Sequence, residues 1–232
     1  MVLKDGAKMS KSLGNTVDPN LIIKKYGADT ARIFILFGAP VEKDLDWSED
    51  GIDGSFRFLK RFYNYTVNYN EYPIDSANIN ALNKQLHKVI KIMTHQLENF
   101  QFNTAISQLM ELINTISKTG TNLETALIMA RLIAPFAPFI AETIWQELNQ
   151  STSVHAQPWP TFEPTLIVDD TLTIVIQING KLKDKCELPK DTPEHTAIEQ
   201  AKCQEKIIHH LSNKKIIKTI VVPNRLINFV VK

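Results

Sequence analysis

The stretch LNKQLHKVIKIMTHQL, residues 82–97, decides the fold of the middle of the chain. Leu82, Leu86, Val89, Met93 and Leu97 recur at spacings of three and four, which is the apolar stripe of an amphipathic helix. Upstream, the helical period starts at Ser55, with Phe56, Leu59, Phe62 and Tyr63 on one face. Downstream, Asn103 is placed to cap a further helix with Ile106, Leu109, Ile113 and Ile116 inward. Asn122 is placed to cap the next, with Leu123, Leu127 and Ile133 inward, and Pro138 opens a last helix ending near Leu148. Four or five helices with short connections predict a helical bundle over 55–150.

Working outward, 151–170 reads as a linker and 171–232 as a small α+β domain. TLTIVIQI alternates as a strand, and Asn179–Gly180 is a strong hairpin signal because both residues tolerate positive φ. KLKDKCEL returns as the second strand. Thr192 and Pro193 open one helix with Ile198, Ala201, Ile208 and Leu211 on one side. IIKTIVV, a Pro223–Asn224 turn and LINFVV make a second hairpin, giving a ββαββ order. At the other end, the chain reads as glycine-punctuated loop to Pro19, then two short helices broken at Gly27, then a polar connection, GAPVEKDLDWSEDGIDG. The predicted whole is multidomain and mainly α, with boundaries at 1–54, 55–150, 151–170 and 171–232.

The net charge of +1 gives no global sign of nucleic-acid binding, but its distribution is uneven. Residues 166–232 hold eleven Lys/Arg against eight Asp/Glu, whereas 1–54 hold seven against nine. Cys186 and Cys203 form no CxxC pair, and the six histidines show no ligand spacing, so no metal site is expected. Sparse cysteine and no apolar run of membrane-spanning length fit a cytoplasmic protein without a membrane partner.

The cluster that carries chemistry is Lys8, Met9, Ser10, Lys11 and Ser12, with Gly14 close behind. Two flexible ammonium groups, two hydroxyls and a tight turn suit phosphate oxygens. A solvated basic loop would use the same residue types. The longer string DGAKMSKSLGNTVDPNLIIKKYGADTAR resembles the KMSKS loop and following segment of class I aminoacyl-tRNA synthetases. APVEKDLDWSEDGIDGSFRFLKRFYN, HAQPWPTFEP, TIVIQINGKLKDKCELP and IIKTIVVPNRLINFVV are similar to segments of the bacterial leucyl family.

The resemblance implies a KMSKS and stem-contact segment over 1–54, an anticodon-binding-type bundle, and a C-terminal tRNA-binding domain. It implies activation of leucine with ATP, Mg2+ in the complete enzyme, transfer to tRNA(Leu), and a monomer. Lys8, Met9, Ser10, Lys11 and Ser12 would bind the ATP phosphates, with Lys11, supported by Lys8, in the catalytic role and Ser10 and Ser12 both shaping the loop and donating hydrogen bonds. No HIGH-type motif or Rossmann pattern occurs in these residues, so the chain is expected to be the C-terminal part of a larger enzyme and inactive alone. It departs from the family pattern at Leu13, Phe139 and Asn224. The alternatives are a valyl or isoleucyl counterpart and a free-standing RNA-binding module.

Candidate RNA contacts are Arg57, Lys60 and Arg61 at the bundle entrance, and the stripe Lys84, Lys88, Lys91 with His95. In the tail, Lys181, Lys183 and Lys185 alternate and are expected on one side of a strand. The resemblance assigns Lys181, Lys183 and Arg225 to the tRNA body.

Overall fold

A computed structural model describes residues 1–167, 171–212 and 214–232. Two compact units are present, Met1–Ile167 and Val168–Lys232.

The first unit opens with a hairpin, not a loop: β1 (Val2–Lys4) pairs antiparallel with β2 (Ala7–Lys8). Asp5 and Gly6 turn at φ 55° and 75°, and such a pair of left-handed residues matches the twist of two short strands. β3 (Leu45–Asp46) adds to the other edge of β1 in parallel. Between them run α1 (Pro19–Tyr26) and α2 (Ala28–Gly38), separated as expected by Gly27 at φ 87°. Asp18 caps α1 by accepting from the Asn20 N–H at 2.9 Å.

The polar connection is shorter than its composition suggests. α3 (Glu49–Val67) already includes DGIDG, because Ser48 Oγ accepts from Gly51 N–H and Glu49 and Asp50 suit a helix N-terminus. Gly51 is required there: a Cβ would lie 2.8 Å from the Phe34 ring of α2. Within α3, Phe58 rather than Phe56 is buried, and Phe56 sits at the surface edge-on to Tyr26.

The bundle continues with α4 (Ser76–Glu98), α5 (Phe102–Thr119), α6 (Leu123–Ile133) and α7 (Pro138–Glu147). Leu82, Leu86, Val89, Met93, Ile106, Leu109, Ile113, Ile116 and Ile133 meet Leu59 and Phe62 in one core. Each such side chain contributes about 1.5–3 kcal/mol on leaving water. Asn122 caps α6 as expected, at 2.9 Å from Thr125 N–H. Asn103 does not cap α5, which starts at Phe102 with no side-chain cap, and Leu123 is exposed at the first turn of α6.

The stretch read as a linker lies on the bundle as far as Ile167. Val154 is buried in the bundle core, Trp159 donates to Thr94 Oγ1 at 2.9 Å, and Glu163 N–H donates to His87 Nδ1 at 2.9 Å.

The second unit has β4 (Thr171–Ile178), β5 (Lys181–Pro189), α8 (Glu194–Lys202), α9 (Glu205–Leu211), β6 (Ile216–Val222) and β7 (Leu226–Val231). Strand order is β5-β4-β7-β6, with the central pair parallel. Ile174, Ile176, Ile178, Ile227 and Phe229 form the core face with Ala197, Ala201 and Ile207. The single expected helix is two, broken at Gln204, whose ψ of 130° is extended. The break shifts the helical phase, so Ile207 is buried while Ile208 is 55% exposed. Thr192 is not the cap of α8; its hydroxyl donates to the Pro189 carbonyl.

Candidate functional site

The KMSKS residues form a tight turn hung on the N-terminal hairpin. Met9 N–H donates to the Val2 carbonyl at 3.0 Å, extending the hairpin by one residue. Gly14, at φ 66°, donates its N–H to the Lys11 carbonyl at 3.2 Å. Ser10 accepts from Leu13 N–H at 3.3 Å and sits 3.2 Å from the Ser12 hydroxyl. The serines therefore shape the turn. Lys8 and Lys11 are both exposed, and among the described residues neither is ion-paired.

Asn15 closes this turn and was not singled out by the motif. Its Oδ1 accepts from Ser10 N–H at 2.8 Å, and its Nδ2 donates to the Lys8 carbonyl at 3.2 Å. The GN step after the serines was the available signal, since asparagine hydrogen-bonds locally in turns.

A second residue the sequence undervalued is Asp29. A carboxylate in the first turn of α2 suits the helix dipole, but this one is 4% exposed. Its Oδ2 accepts from Ile140 N–H of α7 at 2.7 Å, and its Oδ1 accepts from Arg32 Nη1 at 3.1 Å. α7 has no side-chain cap of its own. The Arg32 guanidinium lies 5.2 Å over the Phe139 ring, a cation–π contact between α2 and α7.

The basic residues at the bundle entrance divide. Arg57 and Arg61, one turn apart on α3, face a groove shared with α2 and α5, and Arg61 Nη2 donates to Asn114 Oδ1 at 3.0 Å. Lys60 faces the other way, beside Tyr26 and Tyr63. Lys25 on α1 is held above its usual pKa first by Tyr26, then by Asp53 and Glu49.

The α4 stripe is less open than its sequence suggests. Lys84 and Lys88 are half-buried, and Lys91 Nζ lies 5.8 Å over the Phe162 ring. His87 on the same helix is used by Glu163 N–H. The segment 159–167 thus covers part of the face proposed for phosphates.

In the tail, the expected one-sided lysine row does not form. Gln177 pairs with Leu182 and Ile176 pairs with Asp184, so Lys183 is the extra residue of a β-bulge. Lys181 pairs with Ile178 on the helix-covered face, whereas Lys185 pairs with Val175 on the open face. A bulge reverses alternation, and strict period-two reading cannot see it. Asp184 faces Lys206 of α9 at 3.7 Å. Lys183 lies near His210, whose pKa is lowered first by burial and then by Lys183, His209 and Lys214. Arg225 sits in the β6–β7 turn beside Val175, whose N–H donates to its carbonyl at 3.0 Å.

Asn179, at φ 49°, does more than turn. It exchanges two hydrogen bonds with the backbone of Val231, at 2.9 and 3.1 Å, fastening the hairpin to β7. Among the described residues there is no cluster of three or more His, Cys, Asp or Glu side chains that could hold a metal ion. Among the same residues no helix is long and apolar enough to cross a membrane.

A phosphate-suited lysine turn leading through two short helices into a helical bundle is the arrangement of a class I tRNA ligase. Residues 1–48 match the family model of class I tRNA synthetases (I, L, M and V), and residues 80–198 match that of the anticodon-binding domain of tRNA ligase. The chain belongs to this family, and its relatives narrow the kind: it is homologous to the C-terminal part of leucine–tRNA ligases. It is 42% identical over all of its length to 30% of the leucine–tRNA ligase of Geobacter sp. (strain M21). It is 43% identical, over 97% of its length, to 27% of that of Trichormus variabilis. The agnB2 LeuRS of Agrobacterium radiobacter K84, solved as a LeuRS–tRNA–LeuAMS ternary complex, superimposes with a TM-score of 0.79 at 29% identity. That match covers 100% of this chain and 33% of the solved one, so the chain spans about a third of its relatives' length.

Proposed function

We propose that this chain supplies the KMSKS loop and tRNA-binding regions of a leucine–tRNA ligase that activates leucine with ATP and transfers it to tRNA(Leu). The observation that carries the reading is the intact loop itself. Lys8 and Lys11 stand exposed on a turn whose hydroxyls and Asn15 are spent on holding its shape. Residues 1–54 carry the loop and stem-contact segment, 55–150 the anticodon-binding-type bundle, and 171–232 a tRNA-binding domain.

Lys11, supported by Lys8, meets charge developing on the α-phosphate and leaving pyrophosphate. A cation aimed at that charge lowers the barrier only if its contact strengthens in the transition state. Met9, Ser10 and Ser12 set the turn that presents it. Arg57 and Arg61, the partly covered Lys84, Lys88 and Lys91, and Lys181, Lys183 and Arg225 in the tail meet the RNA backbone at separate places. Lys60 meets RNA, if the same backbone reaches it, from a different face of α3, beside Tyr26 and Tyr63.

The test is leucine-dependent pyrophosphate exchange in a complete leucine–tRNA ligase carrying this segment. Lys11→Ala should lower the adenylation rate by about 2–4 kcal/mol equivalent, as loss of a transition-state donor does, with little change in the Michaelis constant for ATP. An unchanged rate with a raised Michaelis constant would assign Lys11 to ground-state binding. The 232 residues alone should give no exchange, because positioning both substrates needs more than this loop.

A further inference from the structure

A cavity of about 250 Å3 lies in the first unit, between the C-terminal end of α6 and the segment 154–159. Pro135, Pro158 and Trp159 give it stiff apolar walls. The Trp159 ring is held in place, because its Nε1–H donates to Thr94 Oγ1 at 2.9 Å. Arg131, His155 and Gln157 are the polar side chains of the lining.

Arg131 has only part of its partners. It stands in the last turn of α6, where a cation suits the helix dipole, and its Nε–H donates to the Leu127 carbonyl at 3.4 Å. Its two Nη nitrogens have no partner among the described residues. The side chain is half-buried, and burial alone pulls its pKa down, with no carboxylate acting against it. Glu142, the acid that faces the segment, accepts from Ser153 Oγ at 2.8 Å, Val154 N–H at 3.0 Å and Gln146 Nε2 at 3.1 Å, and does not pair with Arg131. A cation drawn out of water without a counter-charge carries a desolvation cost that an incoming anion offsets.

The remaining lining narrows the anion. Gln157 Nε2 donates to Thr152 Oγ1 at 2.8 Å and to the Ser153 carbonyl at 3.2 Å, and His155 Nε2 donates to the Pro138 carbonyl at 3.2 Å. The guanidinium fork is therefore the one permanently charged donor set left open to the cavity. A single fork matches a planar carboxylate through two parallel hydrogen bonds, whereas a phosphate monoester brings more charge and a third oxygen. No lining residue is a carboxylate, so nothing there meets an ammonium group. The volume is below the roughly 300–1,000 Å3 usual for drug-sized ligands, which suits a body of about the size of one ring.

We propose that this cavity binds a small monocarboxylate without an amino group, its carboxylate on the Arg131 fork and its apolar body against Pro135, Pro158 and Trp159. The site is independent of the reading of the chain as part of a tRNA ligase.

The experiment titrates benzoate into the 232-residue chain by calorimetry and follows its effect on thermal unfolding, with benzamide, benzylamine and inorganic phosphate as comparison ligands. Benzoate should bind at about 1 mM or tighter and raise the unfolding temperature. Benzamide, which keeps the shape without the charge, should bind about tenfold more weakly, and benzylamine and phosphate more weakly still. Arg131→Gln should weaken benzoate about tenfold and unfold at the same or a higher temperature, since it removes an unpaired cation. Ala134→Leu should fill the cavity and abolish binding with the arginine intact, and it decides the matter if Arg131→Gln does not fold. Benzamide binding as tightly as benzoate, or Arg131→Gln binding benzoate as the parent does, overturns the fork. Phosphate binding as tightly as benzoate overturns the choice of a monocarboxylate. N-acetylphenylalanine binding more tightly than benzoate makes the occupant a peptide terminus and overturns the small acid. A parent chain that does not bind benzoate overturns the site.

Discussion

Replacing Asp29 by alanine should loosen the joint between the segment that carries the lysine turn and the bundle. The carboxylate is 4% exposed and accepts at 2.7 Å from Ile140 N–H, in the first turn of a helix with no other side-chain cap. Losing a cap costs about 0.5–2 kcal/mol, and a buried N–H left without a partner costs about 1–3 kcal/mol. Both figures describe the same lost bond, so they are not summed. The Arg32 contact adds little, because that side chain is 44% exposed and its charge is screened. The expected loss is therefore about 2–3 kcal/mol. For a unit of this size each kcal/mol lowers the midpoint by roughly 2–4 °C, so thermal unfolding followed at 222 nm should shift down by about 4–12 °C. Asp29→Asn keeps an acceptor for Ile140 and should lose about half as much. Arg32→Ala should lose less than 1 kcal/mol, or about that. If Asp29→Ala unfolds within a degree of the parent, the Asp29–Ile140 contact does not hold α2 to α7.

Two further outcomes are expected. Glu142 lies below its usual pKa, first because Ser153 Oγ donates to it, then through Val154 N–H, Gln146 and His155. Its folded value is thus below its unfolded value, so its stabilisation is complete above the ordinary carboxylate range and is lost as pH falls through the folded value. The parent should lose unfolding temperature more steeply than Glu142→Gln as pH drops below about 4.3, and parallel curves would remove Glu142 as the clasp on residues 153–154. Cys186 is buried and its thiol is pushed up by burial and Asp184, whereas Cys203 is exposed. A thiol reagent should label Cys203 in the folded chain and reach Cys186 only after denaturation; equal labelling rates would contradict the packing of β5.

The helical bundle was legible because burial follows period: Leu82 to Met93 and Ile106 to Ile116 face inward as their spacing dictates. Phase errors came where the chain breaks step. The spacing puts Ile208 in phase with Ala201, and the break at Gln204 puts Ile207 there instead. Strict alternation predicts a row of lysines on β5, and the bulge at Lys183 turns Lys181 and Lys185 to opposite faces. Glycines misled in a third way. Gly51 and Gly54 read as connection, yet they lie inside α3 because Ser48 caps it, and at Gly51 alone of the two Phe34 needs the space. The polar ties were the least visible. Asp29, Asn15 and Asn179 look like ordinary cap and turn residues, and nothing in their spacing names Ile140, Lys8 or Val231 as partners.

Asn224 shows how a left-handed residue with a side chain can be held in a turn. It stands at φ 58° in the β6–β7 turn, where glycine would meet no steric cost and a residue with a Cβ loses roughly 1–2 kcal/mol. Its side chain accepts from Asp191 N–H at 3.0 Å and donates to Asp191 Oδ1 at 2.8 Å. Asp191 is itself left-handed, at φ 61°. Two strained residues on different loops therefore hold each other, and a hydrogen bond to a charged group contributes about 1.5–3 kcal/mol, enough to offset the strain of one of them. The tie fixes the β6–β7 turn against the loop between β5 and α8, and Arg225 is the next residue along. A glycine at 224 would relieve the strain locally but release both the turn and the loop. The asparagine trades a backbone preference for placement of the turn that carries an exposed arginine.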